Sequence, residues 1–148
     1  MTDYLTLRQN TRINATTQYR DFDFNSLAVF NGQIIGANDS GIFTHSGDKD
    51  NGDDIYAYFL PNMTDFGDHR QKRVRKGFVG YQTDGTIRLT VYDDEGSGRA
   101  YRLEKIDSSK QHSNMVAFGR DGKGRYWQFK IENMDGADFT VLSIGLYK

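Results

Sequence analysis

Cysteine is missing from this chain of 148 residues, and proline occurs once. The absence of thiols rules out a disulfide framework and any thiolate zinc site. Long apolar runs are missing too. No stretch approaches the ~20 residues that a membrane-spanning helix needs, so no membrane span is expected. The opening residues MTDYLTLRQN lack the basic start and apolar core of a signal peptide, which predicts a chain made in the cytoplasm and not exported by the usual route. Neither charge sign dominates. A net charge of -1 gives no overall field that would draw the protein to nucleic acid or to an anionic membrane. Neither a Gly-x-Ser-x-Gly elbow nor a glycine-rich phosphate loop ahead of a helix occurs, and no segment keeps a helical apolar period.

What the chain has is aromatic rings, glycine and short alternating runs. A mean hydropathy of -0.72 looks disordered at first sight. Aromatic residues at 14% argue the other way, because disordered segments are poor in them. Turn signals recur at roughly ten-residue intervals, the spacing of a sandwich or barrel. The expected fold is all-β, an antiparallel β-sandwich in one domain over residues 27–148, preceded by a polar extended arm over residues 1–26. That arm, containing TLRQNTRINATTQYRDFDFN, is rich in Thr, Asn, Gln and Arg and too poor in apolar groups for a core element.

The most informative stretch runs from Gly124 to Phe139, GRYWQFKIENMDGADF, and holds the only tryptophan. Trp127, Phe129 and Ile131 alternate with Tyr126, Gln128 and Lys130, the period of a half-buried strand. Trp127, Phe129 and Ile131 are therefore read as the core anchor. Asp135-Gly136 then offers a tight hairpin turn. This stretch also resembles the C-terminal β-domain of tail-associated virion proteins of tailed bacteriophages. The resemblance extends upstream through Asp65-Phe66-Gly67, the basic run Lys72-Arg73-Val74-Arg75-Lys76, and the turns Thr83-Asp84-Gly85 and Asp94-Glu95-Gly96. It covers residues 27–148 and implies a structural role in a virion tail, at the tail end or as a ring or adaptor, alongside other virion proteins and with a homo-oligomeric ring expected; it brings no catalytic residues with it.

Along the chain, Leu27 to Thr44 reads as a three-strand meander with Asn31-Gly32 in its first turn. Ile55 to Leu60 is apolar or aromatic on both faces and reads as a central strand closed by Pro61. Strands are also expected over 70–81, 86–92, 99–105, 114–118 and 139–147.

Several clusters invite chemistry. Asp48, Asp50, Asn51, Asp53 and Asp54 resemble a calcium loop, but Gly52 stands one place too early and the closing glutamate is missing, so a solvated turn is the reading. Arg70, Lys72, Arg73, Arg75 and Lys76 are the sharpest charge feature. In a strand, Arg73 and Arg75 would share one face and Lys72 and Lys76 the other. We assign the run to a subunit interface, with nucleic acid the weaker reading on a near-neutral chain. His45, His69 and His112 lie in separate turns without metal-ligand spacing, and nothing selects a pair of acids for glycoside hydrolysis. No metal, cofactor or catalytic group is expected, and the chain reads as a non-enzyme. Two functions remain: a structural tail component that works through subunit contacts, and a carbohydrate- or receptor-binding β-module in which Tyr56, Tyr58 or Tyr81 stacks on sugars.

Overall fold

The structure is a computed structural model that describes residues 5–20, 22–105, 112–118 and 122–147. Every regular element among them is a β-strand, and every pairing is antiparallel. The chain divides into two compact units, residues 1–47 and 48–148.

The first unit holds a hairpin of β1 (Leu5–Asn10) and β2 (Ala15–Arg20), and a meander of β3 (Ser26–Phe30), β4 (Gln33–Asn38) and β5 (Gly41–Thr44). The expected boundary at residue 26 is thus displaced to residue 47, and the expected arm is a paired hairpin. The reason is aromatic. Tyr19 meets Phe22 at 4.8 Å, Phe22 meets Phe24 at 5.2 Å and Phe24 meets Phe43 at 5.8 Å between ring centroids, which joins the N-terminal segment to the meander. The Asn25 amide donates to the Ala37 carbonyl at 2.8 Å and extends the meander backward. Asn31-Gly32 makes the β3–β4 turn with both residues at positive φ, the twist that suits a two-residue hairpin.

The second unit starts with a small hairpin, β6 (Lys49–Asp50) and β7 (Asp53–Asp54). It then builds two sheets. One is four-stranded, in the order β12 (Gly98–Leu103), β11 (Ile87–Asp93), β15 (Trp127–Asn133), β8 (Tyr58–Phe59). The other has β10 (Lys76–Thr83) between β13 (His112–Ala117) and β16 (Phe139–Tyr147). A two-residue pair, β9 (Lys72–Arg73) with β14 (Lys123–Gly124), lies beside them in sequence. Both sheets feed one core. Val79 and Tyr81 come from β10, Ile87, Leu89 and Val91 from β11, and Trp127, Phe129 and Ile131 from β15. This is the antiparallel sandwich.

Period-two alternation explains which side chains go in. Along β15, Trp127, Phe129 and Ile131 are buried, Ile131 completely. The Trp127 indole Nε1 has no hydrogen-bond partner among the described residues.

Three local expectations differ from the structure. Asp135-Gly136 has the positive φ of a hairpin turn, yet β15 and β16 do not pair; they lie in different sheets. The turn is a corner, and a second corner at Thr83–Thr86 carries β10 into β11. The two corners are tied together: Asp138 N donates to Asp84 Oδ1 at 2.8 Å and Met134 N to the Thr86 carbonyl at 3.1 Å. A Cβ at Gly85 would lie 2.8 Å from the Ala137 Cβ, so the close approach needs glycine. The Ile55–Leu60 stretch is no central strand. Only Tyr58 and Phe59 pair, at the sheet edge; the segment ahead of them is held at Asn133, by one backbone bond from Asn133 N to the Ala57 carbonyl at 3.0 Å and by the Asn133 side chain. The basic stretch is broken as well, into β9 and β10, with Val74 turned into the core between them.

With Trp127 only 3% exposed, Trp127→Ala is expected to cost about 3–5 kcal/mol. The checks are denaturant melts of the variant and the wild-type emission spectrum, which is expected to be blue-shifted and weakly quenched by iodide.

Candidate functional site

The outer face of the four-stranded sheet carries the most developed polar arrangement in the second unit. The register that buries Ile131 and Leu89 puts Glu132, Arg88 and Arg102 in one cross-strand row on the opposite face, with Tyr58 at the edge. Glu132 is 3% exposed although it is a carboxylate. A buried charge is tolerated only when its lone pairs are used. Here Arg88 Nε donates to Glu132 Oε1 at 2.7 Å, Lys130 Nζ donates to Oε2 at 2.6 Å, and the Tyr56 hydroxyl donates to Oε2 as well. Lys130 Nζ also donates to the Tyr56 oxygen at 2.7 Å and stands 5.5 and 5.2 Å from the ring centroids of Tyr56 and Tyr58.

Asn133 sets the position of Tyr56. Its Oδ1 accepts from Ala57 N at 2.9 Å and its Nδ2 donates to the Ile55 carbonyl at 2.7 Å, so one side-chain amide stands in for a strand partner. Tyr56 and Tyr58 then lie 5.7 Å apart, inclined by 34°, and both are about half exposed.

Burial pushes the Glu132 carboxyl up, and the hydrogen bonds from Arg88, Lys130 and Tyr56 together outweigh it, bringing the value from 4.5 down to about 2. Arg88 and Lys130 are shifted upward, each first by its hydrogen bond to Glu132.

The residues expected at a subunit interface have different fates. Arg70 is exposed and bidentate to Asp68, with Nε to Oδ1 at 3.0 Å and Nη2 to Oδ2 at 3.1 Å. Lys72 is not available to a partner. Its stem is buried and its ammonium donates to the carbonyls of Asp65 and Asp68. It closes the turn in which Phe66 and Gly67 both take positive φ, so the Asp65-Phe66-Gly67 motif and the first strand cation form one structural unit. Arg73, Arg75 and Lys76 are exposed. Arg73 stands directly opposite Lys123 across the β9–β14 pair, a like-charge neighbour that destabilises unless an anion faces it.

Of the tyrosines considered for ligand stacking, Tyr81 is fully buried, its hydroxyl donating to the Glu104 carbonyl at 2.8 Å; it belongs to the core. In the acidic loop, Lys49 pairs with Asp54 across β6–β7. Among the described residues no group of three His, Asp or Glu side chains is placed to hold a metal. His45 packs on Tyr19 and Phe22 at 5.5 and 5.2 Å, His69 is exposed, and the His112 side chain lies outside the described residues.

Glu132, Arg88 and Asn133 escape sequence reasoning. Glu132 meets Arg88 from 44 positions away and Tyr56 from 76, and no local pattern marks such partners. Comparison with protein-family models, with curated proteins and with solved structures gave no match to this chain. The class that the coordinates define is therefore architectural, an all-β protein whose second unit is an antiparallel sandwich with a buried ion cluster on its outer face.

Two outcomes are expected. The Glu132 carboxyl titrates lower in the folded chain than in the unfolded one, so its contribution is complete above the unfolded value of 4.5 and is lost as pH falls toward about 2. That loss is expected to reach about 3 kcal/mol and to be much smaller in Glu132→Gln, as read from denaturant midpoints between pH 7 and pH 2. Lys72→Met, which removes the donor from two turn carbonyls, is expected to cost about 1–3 kcal/mol, with proteolysis appearing first at the Asp65–Asp68 turn.

Proposed function

We propose that this chain is a structural component of a tailed-bacteriophage virion, located in the tail, which works through contacts with copies of itself and with other virion proteins. One observation carries the assembly part of that reading. In the first unit several large apolar side chains stand in water: Phe30 is 70%, Val29 73% and Ile42 76% exposed. Phe30 and Ile42 share one face of the meander with Ala28 and Ile35, while Leu27, Val29 and Ile34 lie on the other. A unit of this size buries too little of its own surface, and each such side chain gains about 1.5–3 kcal/mol when covered. A neighbouring subunit is the cover.

The basic segment supports the same reading. Arg73, Arg75 and Lys123 present positive charge that an acidic surface on a neighbour would complement, setting register more than raw affinity. The tail location is supported by the likeness of the Gly124–Phe139 stretch and its upstream turns to tail-associated β-domains. Work by binding and not by catalysis suits Glu132, the buried carboxylate, which is saturated with donors and titrates far below neutral pH.

The test is the mass of the purified protein in solution, with labelled antibody on intact particles as the second arm. Wild-type protein is expected to sediment as a discrete oligomer at micromolar concentration. Phe30→Asp with Ile42→Asp is expected to sediment as a monomer with an unchanged near-ultraviolet spectrum from the Trp127 core. A wild-type monomer at every concentration would remove the assembly reading, and particles that bind no antibody would remove the virion reading.

A further inference from the structure

We infer that the outer face of the four-stranded sheet, at Tyr56 and Tyr58, is a binding site for a saccharide. The inference concerns the second unit alone and does not depend on assembly, which was argued from the first. Two aromatic rings are presented to solvent at 58% and 46% exposure, 5.7 Å apart and inclined by only 34°. Exposed aromatic rings on a polar face are normally mobile. Here Tyr56 is anchored at its hydroxyl and Tyr58 at its backbone. The Tyr56 hydroxyl is fixed by Glu132 and Lys130, its backbone neighbours Ile55 and Ala57 are clamped by the Asn133 amide, and Tyr58 lies within β8, paired with Glu132. A platform ordered in advance loses little freedom when a ligand arrives.

The surroundings choose the ligand class. A cation is disfavoured, because the Lys130 ammonium already takes the cation–π position at both rings. A purely apolar segment is disfavoured as well, since the Lys130 ammonium lies at both rings and Arg88 shares Glu132 with the Tyr56 hydroxyl. What fits is a molecule with an apolar face and a polar rim, and a pyranose ring has both: its axial C–H groups lie on an aromatic ring while its hydroxyls meet charged planar groups at the edge. The Arg88 side chain remains 47% exposed while its Nε holds Glu132, which leaves the outer edge of the guanidinium toward water and open to vicinal hydroxyls or to a sugar carboxylate. Arg88 and Lys130 set two cations against the one Glu132 carboxylate, so an acidic sugar unit is accepted along with a neutral one.

The experiment is a calorimetric titration of the full chain with cellohexaose, N-acetylchitohexaose and hexagalacturonate at moderate salt. At least one is expected to bind. Tyr58→Ala is expected to weaken that binding by about tenfold, the loss of one stacking contact, while Tyr58→Phe keeps the ring and stays within about twofold. The thermal midpoint of each variant is measured alongside, since Tyr58 supports no group of the Glu132 cluster through its hydroxyl. If none of the three probes binds, or if the alanine variant folds and binds as the wild type does, the assignment is wrong. Binding would leave the assembly reading where it stood, because the oligomer is read from Phe30 and Ile42.

Discussion

Strand β15 has two faces that cannot be exchanged, and most of the second unit follows from that. Trp127, Phe129 and Ile131 go into the core between the sheets, while Lys130 and Glu132 go to the outer face. A slip of one residue would put a carboxylate and an ammonium into the core and three large apolar groups into water. The register with β11 is fixed twice over, by Ile131 opposite Leu89 inside and by Glu132 opposite Arg88 outside. Each contact is modest alone; together they leave no competing alignment.

The Glu132 cluster shows how a carboxylate can be buried on a sheet face whose other groups meet water. Three donors on three separate segments converge on two oxygens. Removing any one leaves a buried charge short of a partner, which costs more than the lost hydrogen bond itself. The same groups hold the tyrosine rings in place, so the rigidity of the surface derives from the electrostatics beneath it. Lys72 repeats the principle on a smaller scale: an ammonium inside a turn, satisfied by carbonyl oxygens and not by an acid.

The two units contrast in what they bury. The second has a continuous apolar cluster drawn from both sheets, whereas among the described residues the buried apolar core begins at Val74 in sequence and includes none from the first. Aromatic stacking orders the first unit internally, through Tyr19, Phe22, Phe24 and Phe43, without removing Phe30 or Ile42 from water. Stacking at a few ring pairs is enough to define a shape and too little to close a core.

Much of the architecture was legible in the residues alone. Alternation in WQFKI marked the strand that carries the core, and Asn31-Gly32 marked a true hairpin, because both signals depend on neighbours a few residues apart. The β-class followed from aromatic and glycine content with no helical period. Tertiary structure alone decided the rest. Asp135-Gly136 has the dihedral angles of a hairpin, but whether the next strand returns beside β15 or crosses to the other sheet is set by Asp84, Thr86 and Gly85 packing against it. Lys72 reads as a surface cation until the turn at Asp65–Asp68 wraps around it. Tyr56, Tyr58 and Tyr81 are the same residue type in similar local company, yet two face water and one is in the core. Glu132 carries no local mark of its role, because its partners are brought to it only by strand order, and strand order is a property of the whole fold.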